Sequence, residues 1–390
     1  MKSAPLAAQK DSAPIMCRLV SGNLASLIAM KYIHEYRDGE LARKIVDRIH
    51  ATSRKKVRLM EVCGTHTMSI FRNGIRSLLP ETIRLLSGPG CPVCVTSQRE
   101  IDTFVALAME KDVIVATFGD TLRVPGTHSS LQKERANRSD VRIVYSPSDA
   151  IELSKAYPEK EVVFLGVGFE TTAPAIAASI IEASEKKLAN FSVISAHKLV
   201  PPVLTALLAR DDVNIDGFIC PGHVSVIIGG SAYLPIVEKF HIPCVIAGFE
   251  AVDVLRAIYR LVLQIEACEA RLENEYRRAV TFEGNRKAQE IMYEVFEPTE
   301  ASWRGIGIIP GSGLEIRTKY DGFNAKKKFQ LSVQDSQEPS GCACGEILVG
   351  LKTPVECPLY KKACTPEHPV GPCMVSTEGT CAAYYRYYHT

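Results

Sequence analysis

Seven short apolar runs, each stopping at a loop that carries glycine, cysteine or histidine, constrain the fold of this chain more than any other feature. Residues 57–62 run into Cys63-Gly64-Thr65-His66, and residues 83–86 into the loop Gly88-Pro89-Gly90-Cys91-Pro92-Val93-Cys94. Residues 113–118 end at Gly119-Asp120, 162–167 at Gly168-Phe169-Glu170-Thr171-Thr172, and 191–194 at Ser195-Ala196-His197-Lys198. Residues 218–220 lead to Pro221-Gly222-His223-Val224-Ser225, and 244–247 to Gly248-Phe249-Glu250. Amphipathic stretches follow at 173–188, 203–210 and 251–275. Strand, loop, helix, repeated, is the pattern of parallel α/β units. Ligands bind such sheets where the carboxyl ends of the strands open into loops, and the chemically unusual residues fall in those loops.

A chain of 390 residues exceeds what one core usually serves. The expected division is a loose extension over residues 1–18, an α/β domain over 19–150, a second α/β domain over 151–260, and a helical, cysteine-rich domain over 261–390. Residues 24–49 read as helical, with Gly39 a candidate break. Two echoes, Gly168-Phe169-Glu170 with Gly248-Phe249-Glu250 and Pro89-Gly90 with Pro221-Gly222, hint at duplication. The net charge of +2 gives no broad footprint for nucleic acid or an anionic membrane. No stretch approaches ~18 uninterrupted apolar residues, and residues 1–10 lack the apolar core of a signal peptide. A cytoplasmic setting is therefore expected. Thirteen cysteines in a reducing compartment favour metal binding or catalysis over structural disulfides.

Six of those cysteines lie in the last 49 residues: Cys342, Cys344, Cys357, Cys364, Cys373 and Cys381. Prolines at 339, 354, 358, 366, 369 and 372 supply the stiff turns needed to bring thiolates together from separate segments. This composition points to a [4Fe-4S] cluster, although the spacing is not the bacterial ferredoxin run. A zinc ribbon is the rival, but its paired C-x2-C knuckles are absent from the tail. Upstream, Cys63 and His66 share one loop, while Cys91 and Cys94 form a C-x-x-C pair in the next. Such a pair cycles between dithiol and disulfide. Together the four residues make either a Cys3His zinc site or an open site for iron with exogenous ligands. The bland alternative is a buried thiol at a strand end with a capped loop histidine.

Four of these loops carry a resemblance. Glu61-Val62-Cys63-Gly64-Thr65-His66-Thr67, Ser87-Gly88-Pro89-Gly90-Cys91-Pro92-Val93-Cys94, Gly168-Phe169-Glu170-Thr171-Thr172 and Pro221-Gly222-His223-Val224-Ser225 resemble the signature loops of the HypD family, maturation factors for [NiFe]-hydrogenases. The similarity runs over residues 19–388. Ser97 departs from it where a proline often stands, and Met68 where some members carry histidine. The tail gaps of fourteen, six and sixteen residues resemble that family's cluster pattern, which selects Cys342, Cys357, Cys364 and Cys381 as ligands. The resemblance implies a scaffold that works with a HypC-type small chaperone to assemble a transient Fe(CN)2CO unit. Cyanide would come from a HypE–HypF system. It further implies that Cys63 is the iron-binding thiolate with His66 its neighbour, and that Cys91 and Cys94 exchange electrons with the tail cluster.

Secondary candidates line the same loops. Glu170, Thr171 and Thr172 begin a helix whose N–H groups would suit an anion, the alternative being an ordinary N-cap. His223 is a second cleft candidate or a loop hydrogen-bonding residue. Glu61 either tunes the neighbouring thiol or is solvated. No G-x-x-x-x-G-K-[ST] loop is present, so nucleotide hydrolysis has little support. Three readings result: a metallocentre-assembly scaffold, an iron–sulfur thiol–disulfide oxidoreductase, and a zinc-stabilised interaction protein.

Overall fold

The computed structural model describes residues 36–388 apart from 332, 334 and 335. The expected loose extension over 1–18, and the part of the expected helix before residue 36, lie outside the described residues. A helix begins at Gly39: Gly39–Thr52 is capped by the side chain of Asp38, which is itself extended, so no helix runs unbroken through Asp38.

Two parallel sheets dominate. The first contains β1 (Val57–Glu61), β2 (Ile83–Ser87), β7 (Gly217–Pro221), β8 (Cys244–Ala247) and β9 (Leu272–Asn274), in the order β2-β1-β7-β8-β9. The second contains β3 (Val113–Thr117), β4 (Asp140–Ile143), β5 (Glu161–Gly166) and β6 (Phe191–Ser195), in the order β4-β3-β5-β6. An antiparallel hairpin of β10 (Phe296–Trp303) and β11 (Gly307–Ile316) follows, then the cysteine-rich tail. The expected α/β architecture is present.

The strand order revises the sequential division. β3 pairs with β5 across the expected boundary at 150/151, and β1 pairs with β7 across some 150 residues of chain. The second sheet is thus inserted within the first. Each sheet, counted in its own chain order, winds 2-1-3-4, and the first adds a fifth strand at its edge. Neither sequence echo joins equivalent strands, because the Gly168 loop follows the third strand of its sheet and the Gly248 loop the fourth of the other.

Strands β1, β2, β3 and β5 to β8 are almost wholly buried because both faces of each sheet are covered. Alternation sorts their side chains: Leu59 packs with Ile49, Leu255 and Leu261, whereas Met60 joins a central cluster with Val115, Val163, Leu165 and Ile246. Val162 and Phe164 face a third cluster with Ile176, Ile180, Met292 and Phe296. The central cluster also includes Ile347, Leu348, Met374 and Tyr384, so the tail is built into the body of the protein. Among the described residues, no helix is long and apolar enough to cross a membrane.

The loops after β1 and β2 are laced together. Gly64 N–H donates to the Gly90 carbonyl at 3.0 Å, and Gly88 N–H to the Glu61 carbonyl at 2.8 Å. A Cβ on Gly90 would meet the backbone nitrogen of Cys63 at 2.1 Å. Main chain cannot yield as a side chain can, so Gly90→Ala is expected to cost ~1–3 kcal/mol. Urea unfolding of the two proteins checks this; an unchanged midpoint would contradict the close approach.

Candidate functional site

In a sheet wound 2-1-3-4, the first and third strands flank the point where the winding reverses. Those points of the two sheets face one another here. Loops after β1 (Val62, Cys63), β7 (Pro221, His223), β3 (Phe118, Asp120) and β5 (Gly168, Phe169) surround a cleft of about 500 Å3. The tail closes one side with Ser376, Thr377 and Glu378.

Cys63 is the N-cap residue of the helix Gly64–Arg72; its side chain makes no capping hydrogen bond, but the N–H groups of Thr65 and His66 lie near enough to its sulfur to pull its pKa down. Those donors favour a thiolate. Burial and the nearby Glu378 carboxylate outweigh them and push the thiol up to about 12. Without a cation in the cleft, Cys63 is therefore a neutral thiol. Beneath it Glu61 is fully buried and not solvated: it accepts from Cys63 N–H at 3.2 Å and from the Thr67 hydroxyl at 2.5 Å. Burial pushes its carboxyl up to about 7.

His66 turns away from Cys63. Its Nε2 lies 2.9 Å from the Gly248 carbonyl and 3.3 Å from that of Ala247. These acceptors place the proton on Nε2, which leaves the buried Nδ1 without a partner. Burial holds the imidazole down to about 4, so it is neutral at ordinary pH. Phe249 lies between two imidazoles, its ring centroid 4.8 Å from that of His66 and 3.9 Å from that of the exposed His223.

Cys91 and Cys94 form a disulfide with Cα atoms 5.2 Å apart, across the short helix Pro92–Val95. In this state the Cys3His set is not assembled, since two of its thiols are bonded to each other and His66 Nε2 faces carbonyls. Thr171 and Thr172 reach the cleft, but Glu170 does not line it. Glu170 is buried and accepts from Val200 N–H at 2.9 Å, with its second oxygen unpartnered. Thr172 occupies the N-cap position of the helix Ala173–Glu185 without a side-chain capping bond, its hydroxyl donating instead to the Phe169 carbonyl at 3.3 Å.

The tail cysteines cluster. Cys344 lies within thiol hydrogen-bonding reach of Cys342, Cys373 and Cys381, and the charges of Cys342 and Cys344 are felt at Cys364. Cys357 Sγ is 4.0 Å from the Gly341 carbonyl, beside Cys342. Val370 N–H donates to Cys364 Sγ at 3.3 Å. A Cβ on Gly371 would meet Cys342 Sγ at 2.7 Å and Cys344 Sγ at 3.2 Å, so glycine leaves room among the sulfurs. Among the described residues, no three His, Cys, Asp or Glu side chains close on a single-ion site. A soft, all-sulfur donor set spread around a glycine fits a multi-iron cluster better than one hard cation.

Cleft and tail meet. Cys94 Sγ lies 3.9 Å from the Pro372 carbonyl, next to Cys373. Thr65 donates to Glu378 at 2.6 Å, Ser376 to Asp120 at 3.0 Å, and Arg123 to the Val375 carbonyl at 2.9 Å. The sequence reading missed Glu378, which lies between two tail cysteines without motif character. Asp120 was visible only as the residue after Gly119 at a strand end. Phe249 was visible as a strand-end loop residue and in the Gly248 echo, without a role of its own.

Burial also makes a pH signature. Glu170, like Glu61, is pushed from 4.5 up to about 7, so the folded protein keeps a proton that the unfolded chain sheds. Stability contributed by each group is complete below about pH 4.5 and falls as pH rises towards 7. Glu170→Gln keeps the acceptor for Val200 and removes the titration. Between about pH 5 and pH 8 the wild type is expected to lose on the order of 2–3 kcal/mol more than the variant in urea unfolding. Equal losses would contradict a protonated Glu170.

Comparison with known proteins agrees with these loops. Residues 40–388 match the HypD family model, described as the hydrogenase formation hypA family. The Cupriavidus necator hydrogenase maturation factor HypD is 46% identical over 368 residues, covering 92% of this chain and 97% of that protein. The Rhodobacter capsulatus factor is 44% identical over 370 residues, with 92% and 98% covered. The Escherichia coli factor is 42% identical over 366 residues, again with 92% and 98% covered. The chain belongs to the HypD family of hydrogenase maturation factors.

Proposed function

We propose that the cleft is the assembly site for an Fe(CN)2CO unit, with iron held by the Cys63 thiolate and a HypC-type small chaperone sharing the metal. One observation carries this reading: Cys63 is a free thiol at a helix N-terminus, lining a cleft where the winding of both sheets reverses. Iron is substrate here, and its positive charge would draw the proton from Cys63 against the burial that otherwise retains it. Neutral His66 adds no charge of its own around the thiol, and burial favours the protonated form of Glu61. Cyanide, supplied by a HypE–HypF system, would enter beside Thr171, Thr172 and His223, which line the cleft. A cytoplasmic location accords with this role.

A [4Fe-4S] cluster held by Cys342, Cys357, Cys364 and Cys381 would supply single electrons. The Cys91–Cys94 disulfide takes up two electrons and two protons when it opens to two thiols. Its contact with the Pro372 carbonyl places it beside Cys373, which supports electron exchange with the tail. The same disulfide also favours a second reading, a thiol–disulfide oxidoreductase that binds no iron in the cleft.

Anaerobic co-purification with the small chaperone separates the two readings. The wild type is expected to carry infrared bands of bound CN and CO together with about four iron and four sulfide in the tail. Cys63→Ala is expected to lose the bands and keep the tail iron. Bands that persist in Cys63→Ala would remove Cys63 as the ligand, and their absence from the wild type would favour the oxidoreductase.

A further inference from the structure

We infer that Arg304, in the turn of the β10–β11 hairpin, is a positioning residue that pins the Cys91–Cys94 loop and so sets how readily that disulfide opens. The inference rests on the reading of the disulfide as a working group. Arg304 is only 2% exposed. Its backbone N–H donates to the Val95 carbonyl at 2.9 Å, its Nε to the Thr96 carbonyl at 3.0 Å, and its Nη1 to Gln98 Oε1 at 3.1 Å. Nη1 also pairs with Glu338, whose side chain is half exposed. The main-chain acceptors directly follow Cys94: Val95 ends the short helix that spans the disulfide, and Thr96 caps it. Thr96 and Trp303 form an antiparallel bridge beside them.

The other side of the same turn rests on the tail. Gly305 has φ +72°, and a Cβ there would meet Gly345 Cα at 2.0 Å. The hairpin turn therefore packs main chain on main chain against the helix Cys344–Leu348. Trp303, just before it, stacks over Phe169 of the cleft at 6.2 Å. One hairpin end thus touches the segment after the disulfide, a cleft loop and the helix that begins at Cys344.

A buried guanidinium is costly to desolvate and would be a poor choice for packing alone. Its planar fork suits several acceptors at fixed angles, which a lysine ammonium cannot match. The closed state of a C-x-x-C pair depends on how firmly the backbone holds the two sulfurs together. With the Val95 and Thr96 carbonyls held, Cys94 keeps its place over Cys91. Freed, the loop gains conformations in the dithiol state, and the disulfide opens more readily.

The test uses the full chain, handled anaerobically and equilibrated with reduced and oxidised dithiothreitol. Each opening converts one dithiothreitol to its cyclic disulfide and yields two protein thiols, so two electrons and two protons move. Alkylation and mass spectrometry read the Cys91/Cys94 state, and amide hydrogen exchange reads residues 94–98. Arg304→Gln is expected to shift the equilibrium about tenfold towards the dithiol, ~30 mV for a two-electron couple, and to speed exchange over 94–98. Arg304→Lys should fall between it and the wild type. Gly345→Ala, pressing on the turn from the tail, should shift the equilibrium the same way and carries the test if Arg304→Gln does not fold. Wild-type equilibrium and exchange in both Arg304→Gln and Gly345→Ala would overturn the inference. A wild-type disulfide that stays closed at every ratio would contradict the working-group reading, while the exchange rates still decide whether Arg304 pins the loop.

Discussion

Burial of one apolar layer shared by the two parallel sheets fixes where every loop of the cleft lies. Met60, Val115, Val163, Leu165 and Ile246 come from both sheets, and the tail contributes Ile347, Leu348 and Met374 to the same layer. Fully buried side chains of this kind are each worth ~1.5–3 kcal/mol, so the sheets are not free to slide past one another. With the sheets set, their reversal points meet and the loops after β1, β3, β5 and β7 are brought into one volume. Building the tail into that layer also brings Pro372 against Cys94 and Glu378 against Thr65. Proximity of cleft and tail thiols is thus a consequence of core packing.

That same burial sets the electrostatics. Three buried groups at this site are pushed towards their neutral forms: the Cys63 thiol and Glu61 upwards, His66 downwards. A cleft lined this way has few charges of its own to satisfy, and a metal cation entering it becomes the largest local charge. Its arrival would convert the thiol into the ligand that binds it. The hairpin bearing Arg304 adds a fixed positive charge on the far side of the disulfide, held by carbonyls and by Glu338.

The parallel α/β architecture was legible because β3, β5 and their fellows are buried on both faces and read as near-continuous apolar runs, interrupted in β1 and β2 only by Arg58, Glu61, Arg84 and Ser87. Motif loops carrying Cys63, Cys91, Cys94 and His223 were legible for a related reason, as they interrupt those runs. Strand order was not. Nothing in residues 83–87 signals that the chain will leave the first sheet, complete a second, and return at Gly217. Short or edge strands also escaped: β9 is three residues of mixed polarity, and β10 carries Pro298 with half its side chains in solvent. The direction in which a side chain turns is equally invisible locally. His66 and Glu170 were read as cleft residues, yet one bonds the Gly248 carbonyl and the other Val200 N–H. Cys344 and Cys373, which the spacing left without a role, lie within thiol contact of each other, and the helix Pro372–Val375 that carries Cys373 packs beside the helix Pro92–Val95.

As proposed above, the tail thiols and the Cys91–Cys94 disulfide would form one redox path into the cleft. Its most direct test is anaerobic reduction of the cluster-loaded chain with dithionite, followed by rapid freezing for electron paramagnetic resonance and parallel trapping of thiols. With one dithionite per chain, which supplies two electrons, the path is expected to carry them through the cluster one at a time. The reduced-cluster signal is then transient and falls as two electrons and two protons open the disulfide to thiols at Cys91 and Cys94; in Cys94→Ser the signal is expected to persist. A reduced-cluster signal that persists in the wild type while the disulfide stays closed would contradict it.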